Sequence, residues 1–306
     1  RRHTRYPLVT GVQTCALPIS ERLGLGPSVC LERNPRLVYG RMSGYGQSGP
    51  QAQEVGHDLN YIALTGALHA IGRAGGAPTP PINLVGDFAG GALYLVLGIL
   101  AALHERQHSG LGQVIDAAMV DGVANLMTQV HGTYAAGLMS TDRGTNPTDS
   151  GAPFYEVYQC ADGHWISLAP VEKKFYEQAL RILELPELLE EQWDRSRWPA
   201  AKARIACAVR TRTRAQWVSA FEGVEACFAP VLTLDEAPRH PHLEARGTYA
   251  EIDGVTQPMP APRFSRTPPA APRPFQPWRT GTAASVLAPW LDAARIERAK
   301  AEGLLE

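Results

Sequence analysis

The feature that most constrains this fold is an almost continuous apolar run over residues 88–103, which ends at His104-Glu105-Arg106. A membrane-spanning helix needs about 20 consecutive apolar residues. This run falls short of that length and is interrupted by glycines, so we expect a helix buried in a protein core and no membrane partner. The chain has 306 residues, enough for a large core and two domains.

Charge and cysteine content exclude several function classes. The net charge is -1 with no basic stripe, which argues against nucleic-acid binding. The 5 cysteines are odd in number, far apart and without a C-x-x-C pair, which argues against a disulfide framework or a zinc site. We therefore expect a cytoplasmic protein. His240-Pro-His242 offers two metal ligands without a third, so no metal site is expected.

Apolar periodicity and turn signals predict the order of the elements. We expect a strand at residues 37–39, helices over 58–71, 88–103, 119–127, 172–183 and 187–220, an extended connector over 258–277 and a terminal helix over 283–301. A hairpin is expected around Asp162-Gly163, and Trp193, Trp198 and Trp217 are expected to anchor packing. Helices that alternate with few strands predict an α/β protein with a smaller second domain.

The loop over residues 44–49 has the spacing G-x-G-x-x-G, which is shared with dinucleotide-binding loops. That fingerprint also requires a helix that opens at the last glycine. Here Pro50 follows, and no apolar period begins after it. The pattern therefore favours a flexible loop that lets a ligand approach the backbone.

Two short motifs carry candidate chemistry. Gly56-His57-Asp58 and Gly86-Asp87-Phe88 supply an imidazole and a carboxylate, a pair of unlike bases suited to removing a proton from one face of a carbon and returning one to the other. Because Gly86-Asp87-Phe88 starts the apolar helix, we expect its amides to lack intrahelical acceptors and to face a developing oxyanion. An N-cap role for Asp87 is compatible with this, whereas an isolated histidine is more often structural.

From Glu21 onward the sequence resembles the α-methylacyl-CoA racemases of the family III CoA-transferase superfamily (CaiB/BaiF type). Residues 21–27, 34–47, 56–61, 83–88, 112–122, 151–155 and 258–264 carry the resemblance. It implies a Rossmann-like large domain, a smaller α+β domain and a homodimer of two interlocked rings. We expect a large CoA-binding domain over 20–145, a small domain over 146–250, and a connector and C-terminal helix over 251–306 that return to the large domain.

The resemblance also implies a reaction and its residues. His57 and Asp87 would be the two bases that epimerise a 2-methylacyl-CoA through an enolate. Glu172 would hold the second nitrogen of His57, and because Glu172 lies in the second domain, this pair could form across the dimer. The residues implied to bind or line the acyl-CoA site are Arg22, Asp58, Tyr61, Gly86 and Tyr155. CoA is part of the substrate, so no separate cofactor is expected.

Two alternatives stay open from the sequence. In a family III CoA transferase, Asp87 would be a nucleophile that forms a mixed anhydride, and no second base would be needed at His57. In the other alternative the chain is an inactive fragment that binds acyl-CoA weakly. Residues 10–19 resemble a translated sequencing adapter, and we interpret 1–19 as non-native. Family members carry a long segment before Glu21, so we expect an N-terminally truncated chain of low activity.

Overall fold

The computed structural model describes residues 19–274, 283–288 and 291–303. Residues 1–18, which hold most of the segment interpreted as non-native, and the last three residues of the expected connector lie outside the described residues. The chain divides into two compact units, Arg1–Val231 and Leu232–Glu306. The domain boundaries expected after residues 145 and 250 stay predictions.

A parallel pair of strands organises the first part of the chain. Strand β1 (Tyr39–Ser43) pairs with β2 (Val114–Ala118), in a register that runs from Tyr39 opposite Val114 to Ser43 opposite Ala118. Parallel strands require a crossover connection, and here the crossover contains the helices that carry both motifs. The predicted α/β class is confirmed. Strand β1 begins at the last residue of the strand predicted over 37–39 and extends into the predicted loop.

The helix predicted over residues 58–71 is two helices. Helices α1 (Ile19–Arg22) and α2 (Pro27–Arg33) precede β1, and the crossover then begins with α3 (Asp58–Leu64) and α4 (Ala67–Ala70). Gly66 separates α3 from α4 with φ +81°, a left-handed conformation that breaks the helix and suits glycine.

The apolar run folds as a π-helix (Leu84–Ala92) that continues into α5 (Leu93–Ser109). The expected burial of this helix is wrong. Ala102 is the buried residue of α5, whereas Leu93, Leu97 and Leu100 are about 60 % exposed (65 %, 63 % and 59 %). One face meets the strands, where a Cβ on Gly98 would lie 2.9 Å from Ile115, and the opposite face has no cover in the described residues.

The continuous helical segment Leu84–Ser109 is long and apolar enough to cross a membrane by length and composition. The expectation of no membrane partner therefore stays a prediction. Close packing of the π-helix on α6 (Met119–Leu126) explains its glycines: a Cβ on Gly122 would lie 1.9 Å from the Gly90 carbonyl oxygen. Backbone here lies directly on backbone. Helix α7 (Thr128–Ala135) follows.

The chain then builds an antiparallel sheet with a helical cover. Strands β3 (Glu156–Gln159) and β4 (Trp165–Leu168) form the hairpin predicted around Asp162-Gly163, and β5 (Phe228–Pro230) pairs with β4. The predicted helix over 172–183 is confirmed as α8 (Lys173–Ile182). The helix predicted over 187–220 is instead a 3₁₀ helix (Pro186–Glu191), α9 (Trp198–Val209) and α10 (Arg214–Ala220).

The sheet and these helices enclose what we call the aromatic core, whose largest members are Phe154, Tyr158, Tyr176, Trp198, Trp217 and Phe221. Burial raises the pKa of the Tyr158 and Tyr176 hydroxyls, so both stay neutral. Trp198 and Trp217 are buried as predicted. Trp193 is 56 % exposed, so its predicted role as an anchor is wrong, although its ring touches Phe154.

The second unit contains short helices and an antiparallel hairpin in its described residues. The bounds are Ala237–Arg239 for the 3₁₀ helix, Pro241–Ala245 for α11, Tyr249–Ile252 for β6, Val255–Pro258 for β7, Ala283–Leu287 for α12 and Ala293–Ala301 for α13. The terminal helix predicted over 283–301 is thus two helices. Asp292 begins the second one, because its Oδ1 accepts from the Arg295 amide at 2.8 Å.

Candidate active site

The carboxylate of Asp58 joins the two sequence motifs. Its Oδ2 accepts hydrogen bonds from the amides of Gly86 at 2.6 Å and Asp87 at 2.9 Å. The side chain of Asp58 is buried, and its other oxygen, Oδ1, has no partner in the described part of the chain. Residues that are 28 positions apart in sequence therefore meet in one corner of the fold.

His57 lies at the start of α3 as its N-cap residue and is exposed. Its backbone is held from within the same helix: the His57 amide donates to Asn60 Oδ1 at 3.1 Å, and its carbonyl oxygen accepts from the Asn60 amide at 2.8 Å. In the described residues the imidazole takes part in no ion pair. The backbone of His57 is therefore held in place, and the residue is exposed to solvent.

Tyr61 packs beside the Gly56-His57 segment at the start of α3. It is fully buried, its hydroxyl donates to the Gly56 carbonyl oxygen, and its ring packs edge-on against Tyr45 at 4.9 Å. A Cβ on Gly44 would lie 2.1 Å from the Tyr61 ring. The loop after β1 thus packs against Tyr61 at Gly44, where no side chain larger than glycine would fit. Tyr61 thus holds the Gly56 carbonyl beside His57, and its implied part in lining the acyl-CoA site stays a prediction.

Asp87 lies inside the π-helix and is half-buried. Its Oδ2 accepts from Asn83 Nδ2 at 3.1 Å, and no ion pair engages it among the described residues. The N-cap position belongs to Asn83, so the alternative N-cap role for Asp87 is wrong. Short π-helical segments are rare and are often found at functional sites.

The expected oxyanion donors are not available at this turn. The amides of Gly86 and Asp87 already donate to Asp58, so the prediction that they face an enolate is wrong for these two groups. The Asp58 side chain is buried against these backbone amides, so it is not exposed to a substrate. In the described residues, the amides of Asp58 and Leu59 at the first turn of α3 have no acceptor.

An open cleft of about 730 Å³ adjoins this corner through Val85, the residue before Gly86. Its remaining walls come from α4, α7, the loop at 148–150 and the β3–β4 sheet, and Tyr155, which is 39 % exposed, lies on its rim. Most of the lining is apolar. Glu156 also lines the cleft, but its carboxylate is paired with Arg73 and, at 2.7 Å, with Lys202, so it is not free to act as a base.

The remaining implied site residues lie on other elements than the two candidate bases. Glu172 is the exposed N-cap of α8, and no hydrogen bond or ion pair connects it to His57 within the described residues. Partial burial first, and then the Glu172 carboxylate, raise the pKa of the Cys227 thiol. Arg22 is exposed at the end of α1.

No group of three or more His, Cys, Asp or Glu side chains with the arrangement of a metal site occurs in the described ranges. The candidate chemical groups at the site come from the side chains of His57 and Asp87. These are an open imidazole and a half-buried carboxylate on adjoining turns, beside an apolar cleft.

Comparison with known proteins identifies the family. The model of CoA-transferase family III matches residues 12–280. The chain belongs to CoA-transferase family III. The resemblance stated from the sequence is confirmed, and the strands and helices described above are those of a family III protein.

The chain is 44 % identical over 252 residues to the α-methylacyl-CoA racemase of Mus musculus and 43 % identical over 253 residues to that of Homo sapiens. Each alignment covers 82 % of this chain and 66 % of the relative, so the chain spans about two thirds of their length. A CaiB/BaiF family protein from Brucella suis has the same fold, with TM-score 0.68 and 24 % identity, over 82 % of this chain and 68 % of that one.

Sequence reasoning missed two residues that hold the two candidate bases in place. Asn60 bonds the His57 amide, and Asn83 bonds the Asp87 carboxylate. Both have a spacing that was available as a signal. Asn60 is three residues after an N-cap, the position that reaches back in a capping box. Asn83 is the N-cap of the π-helix, four residues before Asp87.

Proposed function

We propose that this chain epimerises 2-methylacyl-CoA thioesters by removing the α-proton with one of two bases, His57 and Asp87, and returning a proton from the other. The observation that carries the proposal is the meeting of the two motifs at Asp58, which sets an imidazole and a carboxylate on adjoining turns. Neither base is consumed by an ion pair in the described residues. The names of the mouse and human relatives support the same reaction.

Each direction of the reaction moves one proton in and one proton out. When His57 removes the α-proton, the electron pair passes to the thioester oxygen as an enolate, and the protonated Asp87 then delivers its proton to the opposite face. The reverse direction exchanges the roles. The enolate needs preorganised donors, and the amides of Asp58 and Leu59 beside His57 are the backbone donors still without an acceptor among the described residues.

Glu172 completes the imidazole base in this proposal. A catalytic histidine needs its second ring nitrogen held, commonly by a carboxylate. Glu172 is exposed and has no bond to His57 within the described single chain, so its contribution is assigned to the opposite member of a homodimer. The homodimer and a cytoplasmic location are parts of the proposal.

The substrate would occupy the cleft and the surface around it. The apolar walls suit a branched acyl chain, with Tyr155 at the rim. Arg22 offers an exposed guanidinium for the CoA phosphates, to which such a group can bond in bidentate geometry. CoA enters as part of the substrate, and the reaction needs no further cofactor.

A CoA transferase is the second candidate, because the family takes its name from that activity. In that reaction the Asp87 carboxylate would attack the thioester, form a mixed anhydride and release the CoA thiolate. A transferase has no task for a second base. The imidazole of His57, open at the same corner, therefore favours epimerisation.

Proton exchange separates the two reactions. The protein is incubated with a single epimer of a 2-methylacyl-CoA in heavy water, and NMR follows the α-position. The proposal predicts deuterium at the α-carbon and formation of the other epimer, with no free acid required. CoA transfer to a free acid that persists in His57→Ala, without deuterium uptake by the unmodified protein, would instead establish the transferase.

A further inference from the structure

We propose that the side chain of Asp58 positions the Asp87 base and does not itself contact the substrate. This inference rests on the proposed function. It assigns the buried carboxylate of Asp58 the task of holding the π-helix turn at a fixed place beside α3. The two bases then keep the separation that proton transfer at a single carbon requires.

The contacts of Asp58 are all directed at the Asp87 turn. A single oxygen, Oδ2, receives both the Gly86 amide at 2.6 Å and the Asp87 amide at 2.9 Å. Hydrogen bonds to an ionised acceptor are about twice as strong as neutral ones. The side chain is 4 % exposed, so water competes poorly for these bonds. Asp58 thereby fixes the backbone from which the Asp87 side chain extends.

The glycine at position 86 is part of the same device. A Cβ on Gly86 would lie 2.6 Å from Asp58 Oδ2 and 3.1 Å from the Asp58 Cα atom. Any other residue would push the carboxylate off the two amides. The close approach of the two turns thus depends on both residues.

His57 is anchored without the Asp58 side chain, although it is the preceding residue. Its amide is held by Asn60 Oδ1 at 3.1 Å, and its carbonyl oxygen by the amides of Asn60 and Tyr61 at 2.8 and 3.3 Å. Loss of the Asp58 carboxylate therefore releases the Asp87 turn and leaves the His57 turn in place. This asymmetry distinguishes positioning from a general structural role.

The test measures deuterium wash-in from each pure epimer separately. Asp87→Asn identifies the epimer whose proton Asp87 removes. We expect Asp58→Ala to lower kcat for that same epimer by about 10²-fold, the cost of a displacement of about 1 Å, with KM for the acyl-CoA little changed. Asp58→Asn keeps an acceptor oxygen and should recover most of the rate. Asn60→Ala, the matched control, should affect the other epimer more.

Amide hydrogen exchange gives a readout that needs no catalysis. In Asp58→Ala the amides of Gly86 and Asp87 should lose protection, while the amides of Asn60 and Tyr61 keep it. Gly86→Ala, which displaces the carboxylate without removing it, should reproduce the kinetic pattern if Asp58→Ala fails to fold.

Three results would overturn the inference. These are unchanged protection at Gly86 and Asp87 in Asp58→Ala, an equal loss for both epimers, or a large rise in KM. Absence of α-proton exchange in the unmodified protein would be a different failure. It would remove the proposed function, and Asp58 would be left as a structural contact with no part in catalysis.

Discussion

Two regions of this molecule are built in opposite ways. The aromatic core is a large cluster of buried side chains between the β3–β4–β5 sheet and helices α8 to α10. The base-bearing region, residues 39–126, has as its buried apolar cluster Ile62, Ala67 and Val123. It is held by glycine contacts, by parallel strands and by the Asp58 carboxylate. Buried side-chain volume dominates the first region, whereas the second combines buried side chains such as Tyr61 and Met119 with close backbone approach.

The difference has a functional consequence. In the proposed reaction, backbone groups near the two bases have to approach each other and a substrate closely, and large side chains would fill that space. Glycines and a buried carboxylate allow this approach and fix it with directional bonds. The aromatic core, which carries no candidate base, is free to use the largest side chains for stability.

Removal of either base gives the largest expected effect and acts on function alone. His57→Ala and Asp87→Asn should each lower epimerisation by about 10²- to 10⁴-fold, because each base serves one face of the α-carbon. Circular dichroism and the urea midpoint should stay close to those of the unmodified protein. A variant that loses activity only in proportion to its loss of folded protein would remove the distinction between the two regions.

A tryptophan pair tests the aromatic core. Trp217 is 2 % exposed and its indole nitrogen donates to the Val209 carbonyl oxygen at 2.8 Å, so Trp217→Ala should lower the free energy of unfolding by about 3–5 kcal/mol. Trp193, 56 % exposed, is the matched control, and Trp193→Ala should cost much less. Urea unfolding measures both. Equal losses would show that burial does not set the contribution of these side chains.

A glycine pair tests the base-bearing region. Gly122→Ala brings a Cβ to 1.9 Å from the Gly90 carbonyl oxygen, which forces α6 away from the π-helix and should cost about 1–3 kcal/mol of unfolding free energy. Gly132 in α7 has open space around its Cβ position, so Gly132→Ala should be neutral or slightly stabilising. The first variant should also lose epimerase activity. If both alanines are tolerated equally, backbone approach is not what holds this region.

The reactivity of the Cys227 thiol tests the effect of the Glu172 charge without a measurement of catalysis. Partial burial first, and the Glu172 carboxylate second, raise the pKa of Cys227. Glu172→Gln removes a negative charge, which favours the thiolate and lowers that pKa. At neutral pH the Cys227 peptide should therefore react faster with iodoacetamide, as measured by mass spectrometry. Cys207, exposed on α9, is the control and should not change. A slower reaction of Cys227 would contradict this effect of the Glu172 charge.

Local signals predicted local structure well. The hairpin follows from the turn at Asp162-Gly163, and α8 follows from its amphipathic period, because both depend on neighbours in sequence. The break at Gly66 was missed, since an apolar period does not reveal a positive φ. The π-helix was missed for a similar reason. A continuous apolar run predicts a helix, but it does not distinguish a π-helix from an α-helix.

The candidate site was predictable in its residues and not in its contacts. His57 and Asp87 were identified from sequence, and their roles as bases stay predictions. The bond from Asp58 to two amides 28 and 29 residues away depends on tertiary packing, so the sequence assigned those amides to an enolate that they are not free to bind. The exposure of one face of α5 was not predicted for the same reason, because apolar composition does not show which face of a helix packs against a neighbour.

Stereochemically resolved proton removal distinguishes two bases on adjoining turns from a single base. Each pure epimer of a 2-methylacyl-CoA is incubated in heavy water with His57→Ala and with Asp87→Asn, and the first exchange event at the α-carbon is followed by NMR. Two bases on adjoining turns predict a crossed pattern, in which each variant loses exchange from a different epimer and retains slow exchange from the other. Loss of the same epimer in both variants, or exchange unaffected by His57→Ala, would contradict the account.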